Sequence, residues 1–295
     1  MQLGAMRHVS LSVLLLAALA ATDGARAHWS FDGQVGLGYD DNLGNARSGS
    51  DMLGDHALSG ALTATQTHYL ESGDSFSWGG RLAAERWSHY RGLDNMALGG
   101  TLSYRRKLAL GPYAPWWRLA WSTAALSYRQ DQRNAWLHQA DFTAGKRFSE
   151  RCNAALSLHL EKRDADSQPR EAPGISGDAY SQLARAIGLS AEYAINGQWQ
   201  LSLGGLVRRG DVLSTSTRYR EVFLAAKAIA DDPALGENRY AYRLNGTSYL
   251  VNAGLAWTLS ADTHLAVGLQ RALTHGEGHN NYAKNAFSLS WMGSF

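Results

Sequence analysis

Hydrophobic and polar residues alternate along most of the chain with a period of two. In the segment 31–39 the odd positions are Phe, Gly, Val, Leu and Tyr, whereas the even positions are Asp, Gln, Gly and Gly. The segments 58–65, 76–85, 98–105, 154–161 and 199–208 repeat this alternation. Because successive side chains of a β-strand point to opposite sides of its sheet, the pattern predicts strands with one apolar and one polar face.

The connections between the predicted strands alternate between short and long. Short connections lie near 71–75, 111–115, 149–152, 196–198 and 260–263, and long ones near 40–55, 91–95, 130–134, 164–178, 211–238 and 274–281. Short turns at one end and long loops at the other are typical of barrels that cross an outer membrane. We therefore predict an all-β fold, a transmembrane antiparallel up-and-down β-barrel of about twelve strands, with both chain ends on the short-turn side.

Six aromatic residues on the apolar faces lie beside the predicted short turns. They are Trp78, Trp117, Tyr193, Trp199, Trp257 and Trp291. Tryptophan and tyrosine favour the interface between lipid and water, so these side chains are predicted to form a membrane girdle in contact with outer-membrane lipid.

The first 27 residues have the pattern of a secretory signal peptide. Arg7 and His8 precede an apolar stretch at 10–21, and Ala25-Arg26-Ala27 matches the small-x-small pattern of a cleavage site. The apolar stretch is too short to span about 30 Å of hydrocarbon. We expect residues 1–27 to be removed and residues 28–295 to form the barrel.

The last residues of the chain continue the alternation. Serines occupy positions 288, 290 and 294, and the chain ends on a phenylalanine. The alternating apolar residues are Phe287, Leu289, Trp291 and Phe295. This pattern resembles the C-terminal β-signal of bacterial outer-membrane β-barrel proteins. The resemblance implies that these four residues act as an assembly signal, that the barrel-assembly machinery is a partner, and that the location is the outer membrane of a Gram-negative cell.

The composition limits the classes of function that the chain could have. The formal net charge is only +2, which gives no indication of nucleic-acid binding. A single cysteine, Cys152, rules out a disulfide within the chain. His275 and His279 lie in a glycine-containing loop without the further ligand that a metal site needs, so we predict neither a metal nor a cofactor.

The polar faces of the predicted strands carry charges of both signs, with an excess of arginine. The predicted pore-lining residues are Arg81, Glu85, Arg105, Arg118, Asp141, Glu161, Arg163, Glu192 and Arg208. Charges on a channel wall select the solutes that pass. A twelve-strand lumen can equally be narrow or filled by its own side chains, so an open and a plugged lumen both remain possible.

The longest connection contains apolar residues at helical spacing. They are Tyr219, Val222, Phe223, Ala226, Ile229 and Ala230, and the segment ends at Asp231-Asp232-Pro233. The spacing predicts a helix whose apolar stripe packs over the barrel mouth or folds into it.

The leading functional hypothesis is a channel or transport barrel for small polar or anionic solutes, or an export pore for a surface polymer. One alternative is a lipase-like or deacylase-like enzyme at the rim, which a tight cluster of His, Asp and Ser or Asn would favour. His159 lies on a polar face, but the sequence motifs of barrel lipases are missing, so we predict no catalytic residue. The other alternative is a structural or adhesive barrel with a filled lumen.

Overall fold

The structure is a computed structural model that describes residues 27–295 except Ala172. The predicted signal peptide therefore lies outside the described residues, apart from Ala27. Within the described part of the chain there are thirteen strands. They are β1 (Ala27–Asp40), β2 (Asp55–Tyr69), β3 (Ser75–Trp87), β4 (Asn95–Lys107), β5 (Trp116–Tyr128), β6 (Ala135–Arg147), β7 (Cys152–Ala165), β8 (Gln182–Ala194), β9 (Trp199–Ser216), β10 (Ala228–Asp231), β11 (Tyr240–Ser260), β12 (Thr263–Gly276) and β13 (Asn281–Ser294).

Twelve of these strands close into an antiparallel barrel, as the alternation and the connection lengths predicted. Each strand pairs with the next along the chain, β9 pairs with β11, and β13 pairs with β1 to complete the ring. The short strand β10 stands outside the ring, pairs with the first residues of β11, and is bridged at Ala228 to Ser176. No helix among the described residues is long and apolar enough to cross a membrane.

The two faces of each strand differ as the sequence pattern predicts. On β7, Leu156, Leu158 and Leu160 are exposed on the outer face of the barrel, whereas Ser157 and His159 between them are half-buried on the inner face. Exposed leucines in this density are unfavourable in water and favourable against hydrocarbon. The wall therefore has an apolar outer face and a polar inner face.

The connections define two ends, which we call the short-turn end and the long-loop end. Turns at the short-turn end span 70–74, 108–115, 148–151, 195–198 and 261–262. Connections at the long-loop end span 41–54, 88–94, 129–134, 166–181, 217–239 and 277–280. The last of these is shorter than predicted, because β12 and β13 continue their pairing as far as His275 and Asn281. The last pairs of β12 and β13 are formed by polar residues, which the alternation of hydrophobic residues does not include.

The connection 217–239 also differs from its prediction. A helix, α1 (Arg220–Ala225), forms as expected, but Ile229 and Ala230 belong to β10 and not to the same helix. A one-turn 3-10 helix follows at Pro233–Leu235. The reason is a long-range one: residues 228–231 gain backbone pairing with Arg243 to Tyr240 of β11, which outweighs the local helical spacing.

The closing strand brings the two ends of the barrel chain together. The backbone N–H of Phe295 donates to the carbonyl oxygen of Phe31 at 2.8 Å. A Cβ atom at Gly33 would lie 3.3 Å from the Phe295 ring, so this glycine gives the terminal aromatic its place on the outer face. Phe287, Leu289 and Trp291 lie on the same outer face. Their role as an assembly signal stays a prediction.

Candidate functional site

The hydrophobic core of the molecule lies at the long-loop end, around residues 217–239, which we call the cap. Among the described residues, every buried hydrophobic side chain larger than alanine belongs to the cap, to the adjoining parts of β9 and β11, or to a neighbouring loop. These side chains are Leu93, Tyr180, Val212, Val222, Ile229, Leu235, Tyr242 and Leu244. Burying one such side chain contributes about 1.5–3 kcal/mol. The cap is therefore a packed layer across the mouth.

A buried ion pair connects the cap to the connection between β5 and β6. Arg133, in the connection between β5 and β6, donates from Nε to the Asp232 carboxylate at 3.1 Å and makes a second, shorter contact through Nη2. Thr215 Oγ1 donates to the same carboxylate at 2.6 Å. Both charged side chains are almost completely buried. Desolvation lowers the pKa of the Arg133 guanidinium, but Asp232 together with Tyr180 and Tyr128 holds this pKa above its ordinary value.

The cap and the strand ends beside it touch the other connections of the long-loop end as well. The Tyr180 hydroxyl donates to the Asp231 carbonyl at 2.9 Å, and burial raises the pKa of this phenol well above its ordinary value. Leu235 packs with Leu93 of the connection between β3 and β4. Arg47 pairs with Glu221 at 3.0 Å and holds the pKa of that exposed carboxyl below its ordinary value. The mouth is closed by contacts from several directions.

The inner wall nearer the short-turn end has the opposite character. Although Ser103 is buried, several polar side chains are exposed, namely Ser190, Glu192 and Gln200 near the short-turn end and Asn252, Gln270 and Ser288 at mid-depth. A cavity of about 390 Å³ opens at this end and is lined by Arg105, Arg147 and Glu192 among others. Water therefore reaches the lumen from the short-turn side.

The predicted pore-lining residues fall on the inner wall but differ in their partners. Arg208 donates to Glu161 at 3.4 Å, and Glu85 accepts from Asn95 at 3.1 Å. Arg163 donates to the Arg133 carbonyl at 2.6 Å, so it is bonded to the connection that pairs with the cap. These contacts hold part of the predicted set against the wall or against the loops.

Four arginines of the predicted set, including Arg163, have no carboxylate within 4.0 Å in the described part of the chain. Arg81 donates only to Thr63 at 3.3 Å, Arg105 stacks over Trp116 at 4.5 Å, and Arg118 is exposed. The predicted set contains five arginines and four carboxylates, and arginine keeps its charge at physiological pH, so the set carries a small excess of positive charge.

One cluster on the wall was missed by the sequence analysis, which had assigned Asp141 only to the pore lining. His159 Nε2 lies 2.9 Å from Ser157 Oγ, and His159 Nδ1 is in hydrogen-bond contact with the Asp141 carboxylate. Ser157 and His159 are two residues apart on β7 and therefore lie on the same face. This spacing in the sequence could have indicated that their side chains are neighbours. Asp141 is directly opposite His159 on β6, a register that the sequence does not contain.

The predicted girdle residues lie on the outer face near the short-turn end. Trp199 stacks on Trp257 with ring centroids 5.6 Å apart, and Trp78 meets Trp29 edge-on at 5.2 Å. Trp117 stacks on Phe142 at 6.2 Å. Tyr193 and Trp291 are exposed on the same outer face. Contact with lipid at this depth remains a prediction.

Comparison with solved structures places the fold among outer-membrane barrels. An outer-membrane channel from Pseudomonas putida F1 aligns over 94% of this chain and 97% of its own, with a TM-score of 0.55 and 13% identity. The NanC porin aligns over 88% and 98%, with a TM-score of 0.46 and 11% identity. An anion-selective porin from Comamonas acidovorans aligns over 92% and 100%, with a TM-score of 0.43 and 8% identity. The likeness to the Pseudomonas channel shows a shared barrel fold.

No protein-family profile matches the chain, and no curated protein sequence does.

Proposed function

We propose that this protein is an outer-membrane channel for small polar or anionic solutes, and that the cap closes its outer mouth. One observation carries the proposal: beneath a packed cap, the inner wall is polar, partly exposed to water, and carries four arginines without a carboxylate within 4.0 Å among the described residues. A structural barrel with a filled lumen would have its wall charges neutralised and its inner side chains buried, as Glu161 and Arg208 are in part.

The orientation follows from the connection lengths. In outer-membrane barrels the short turns face the periplasm and the long loops face outside. The cap then faces the exterior, the lumen is continuous with the periplasm, and the outer girdle contacts membrane lipid. We further propose that the C-terminal strand is recognised by the barrel-assembly machinery, because it combines an apolar outer face with a terminal Phe295.

The cap can be removed without disturbing the strands that carry it. Ser216 of β9 is paired directly with Tyr240 of β11, so residues 217–239 can be replaced by a short glycine-containing hairpin turn. The barrel below retains its complete ring of pairing. This variant separates closure of the mouth from stability of the wall.

Planar-bilayer recording of the purified protein tests the proposal. We expect rare, brief openings for the intact chain, and steady conductance with weak anion selectivity for the cap-less variant. As a matched control, the turn 195–198 at the other end receives the same replacement sequence and should leave the record like that of the intact chain. If the cap-less barrel inserts in its folded, heat-modifiable form and still conducts nothing, the channel hypothesis is wrong and a filled barrel takes its place.

A further inference from the structure

We propose that Ser157, His159 and Asp141, which we call the lumen triad, form a hydrolytic site that cleaves small carboxylic esters inside the barrel. This activity goes beyond transport, because it needs neither passage through the barrel nor opening of the cap. The proposal gives these three wall residues a catalytic role, whereas in a channel the wall would contribute only its charge.

The hydrogen bonds of His159 match those of a general base. Its Nδ1 faces the Asp141 carboxylate, which can only accept, so Nδ1 carries the proton in the neutral imidazole. Its Nε2 is then an acceptor and lies 2.9 Å from Ser157 Oγ. A serine hydroxyl, an imidazole and an oriented carboxylate in this sequence of contacts make an activated nucleophile.

The barrel wall holds the three groups on rigid elements. Ser157 and His159 are two residues apart on β7 and therefore point to the same side, while Asp141 is paired with His159 across the ladder. Gly188 is paired with Ser157 on the other side, in β8. A Cβ atom at Gly188 would lie only 2.8 Å from Ser157 Oγ, so the glycine leaves the hydroxyl the space that it occupies.

The triad is accessible from the lumen. The side chains of His159 and Asp141 are 37% and 34% exposed, and a cavity of about 180 Å³ lies beside them. Its lining is mostly polar, with Gln139, Glu161 and Arg208 beside the apolar side chains of Ala184, Ala186 and Leu206. The volume is sufficient for a small polar ester next to His159, and the route to it runs from the short-turn end, where inner-wall side chains such as Glu192 are exposed.

A cation for the developing negative charge lies along the same row of the sheet. Arg118 pairs with Thr143, and Thr143 pairs with Ser157, so Arg118 is two strands away, or about 10 Å between Cα atoms. The exposed Arg118 side chain extends into the lumen and can approach an oxyanion or an anionic acyl group.

The reaction balances with water as the only second reactant. Ser157 Oγ attacks the ester carbonyl while its proton passes to His159 Nε2. The bond from the carbonyl carbon to the alcohol oxygen breaks, and His159 returns the proton to the leaving alcohol. Water then attacks the acyl-serine with His159 again as base, which releases the carboxylic acid and restores the Ser157 hydroxyl.

Two probes test the site in the purified, folded barrel. A fluorophosphonate reacts with an activated serine by losing fluoride, so mass spectrometry should locate the adduct on the peptide that contains Ser157. p-Nitrophenyl acetate should be hydrolysed above the rate of the no-protein background. Ser157→Ala and His159→Gln should each reduce both reactions by about 100-fold or more, because general-base catalysis contributes 10²–10⁴-fold.

The matched control is Ser202→Ala, which removes another inner-wall serine, bonded only to the Gly254 carbonyl at 3.4 Å. It should leave labelling and hydrolysis unchanged, and Gly188→Ala should reduce both by displacing the Ser157 hydroxyl. Heat-modifiability on a gel establishes that each variant is folded. If the folded barrel gives no adduct at Ser157, or if Ser157→Ala and Ser202→Ala hydrolyse the ester equally, the lumen triad is not catalytic. Neither result depends on conductance, so the channel proposal stands or fails separately.

Discussion

The two ends of the barrel are stabilised in different ways. At the long-loop end Ile229, Tyr242 and Leu244 are completely or almost completely buried, and Arg133 and Asp232 are paired beneath the surface, as in the interior of a water-soluble protein. Near the short-turn end several inner side chains are exposed, and the large apolar ones face outward. The wall is held by its closed ladder, whereas the mouth is covered by a separately packed layer. From this difference we predict that the mouth can be loosened while the wall stays folded.

The largest expected effect comes from breaking the buried ion pair of the cap. Arg133→Met leaves the Asp232 carboxylate buried without its cation, and loss of one partner from a buried pair costs about 3–5 kcal/mol. We expect the cap to detach and to be cut by protease within 217–239, while the barrel keeps its heat-modifiable band.

The double variant Arg133→Met/Asp232→Leu is the control for this effect. It removes both charges together, so it should restore much of the protection against protease. A single Arg133→Met variant that resists cleavage as well as the unaltered protein would contradict the role given to the ion pair.

The next effect separates the two faces of the wall. Leu203→Arg places a charge on the outer face and should destabilise the barrel folded in lipid by about 2–4 kcal/mol. Ser202→Arg, one residue away, points into the hydrated lumen and should cost much less. Urea titration of folding into lipid vesicles compares the two, and equal losses would show that the faces are assigned wrongly.

A smaller effect concerns assembly at the closing strand. Phe295→Ala should reduce the folded fraction in cells, because the terminal aromatic on the outer face belongs to the predicted assembly signal. Phe31→Ala removes a phenyl group from the neighbouring outer face of β1 and serves as the control. The measurement is the heat-modifiable band in the membrane fraction, and equal levels of both variants would remove the special role of Phe295.

The smallest effect is on ion selectivity. In the cap-less barrel, Arg118→Glu should move the reversal potential in a salt gradient toward cations. The shift in reversal potential for Arg208→Glu should be harder to assign to charge alone, because Arg208 already pairs with Glu161 and the substitution breaks this pair. The shift should fade between 0.1 and 1 M salt, as the Debye length falls from about 10 Å to about 3 Å. No change for Arg118→Glu would mean that this side chain does not influence the ion pathway.

The two faces of the wall could be predicted from the sequence, because successive side chains of a strand point to opposite sides. The residues of each face therefore recur at every second position. The outward leucines of β7 and the alternation of connection lengths follow from local spacing alone. The cap and the lumen triad could not be predicted in this way. Asp232 reaches Arg133 across 99 positions of sequence, and Asp141 meets His159 only through the register between β6 and β7. Ile229 is also paired with a residue distant in sequence, on β11, and this pairing makes it part of a strand although the local spacing is helical.

Access to the lumen from each side tests the central claim most directly. A chain with Cys152→Ser and Ser288→Cys carries one thiol, on the inner wall of β13 below the cap. In proteoliposomes of known orientation, a membrane-impermeant thiol reagent should label this cysteine quickly from the short-turn side and slowly from the long-loop side. Replacing residues 217–239 by a short turn should make the two rates similar. Fast labelling from the long-loop side with the cap intact would contradict the claim that the cap closes the barrel.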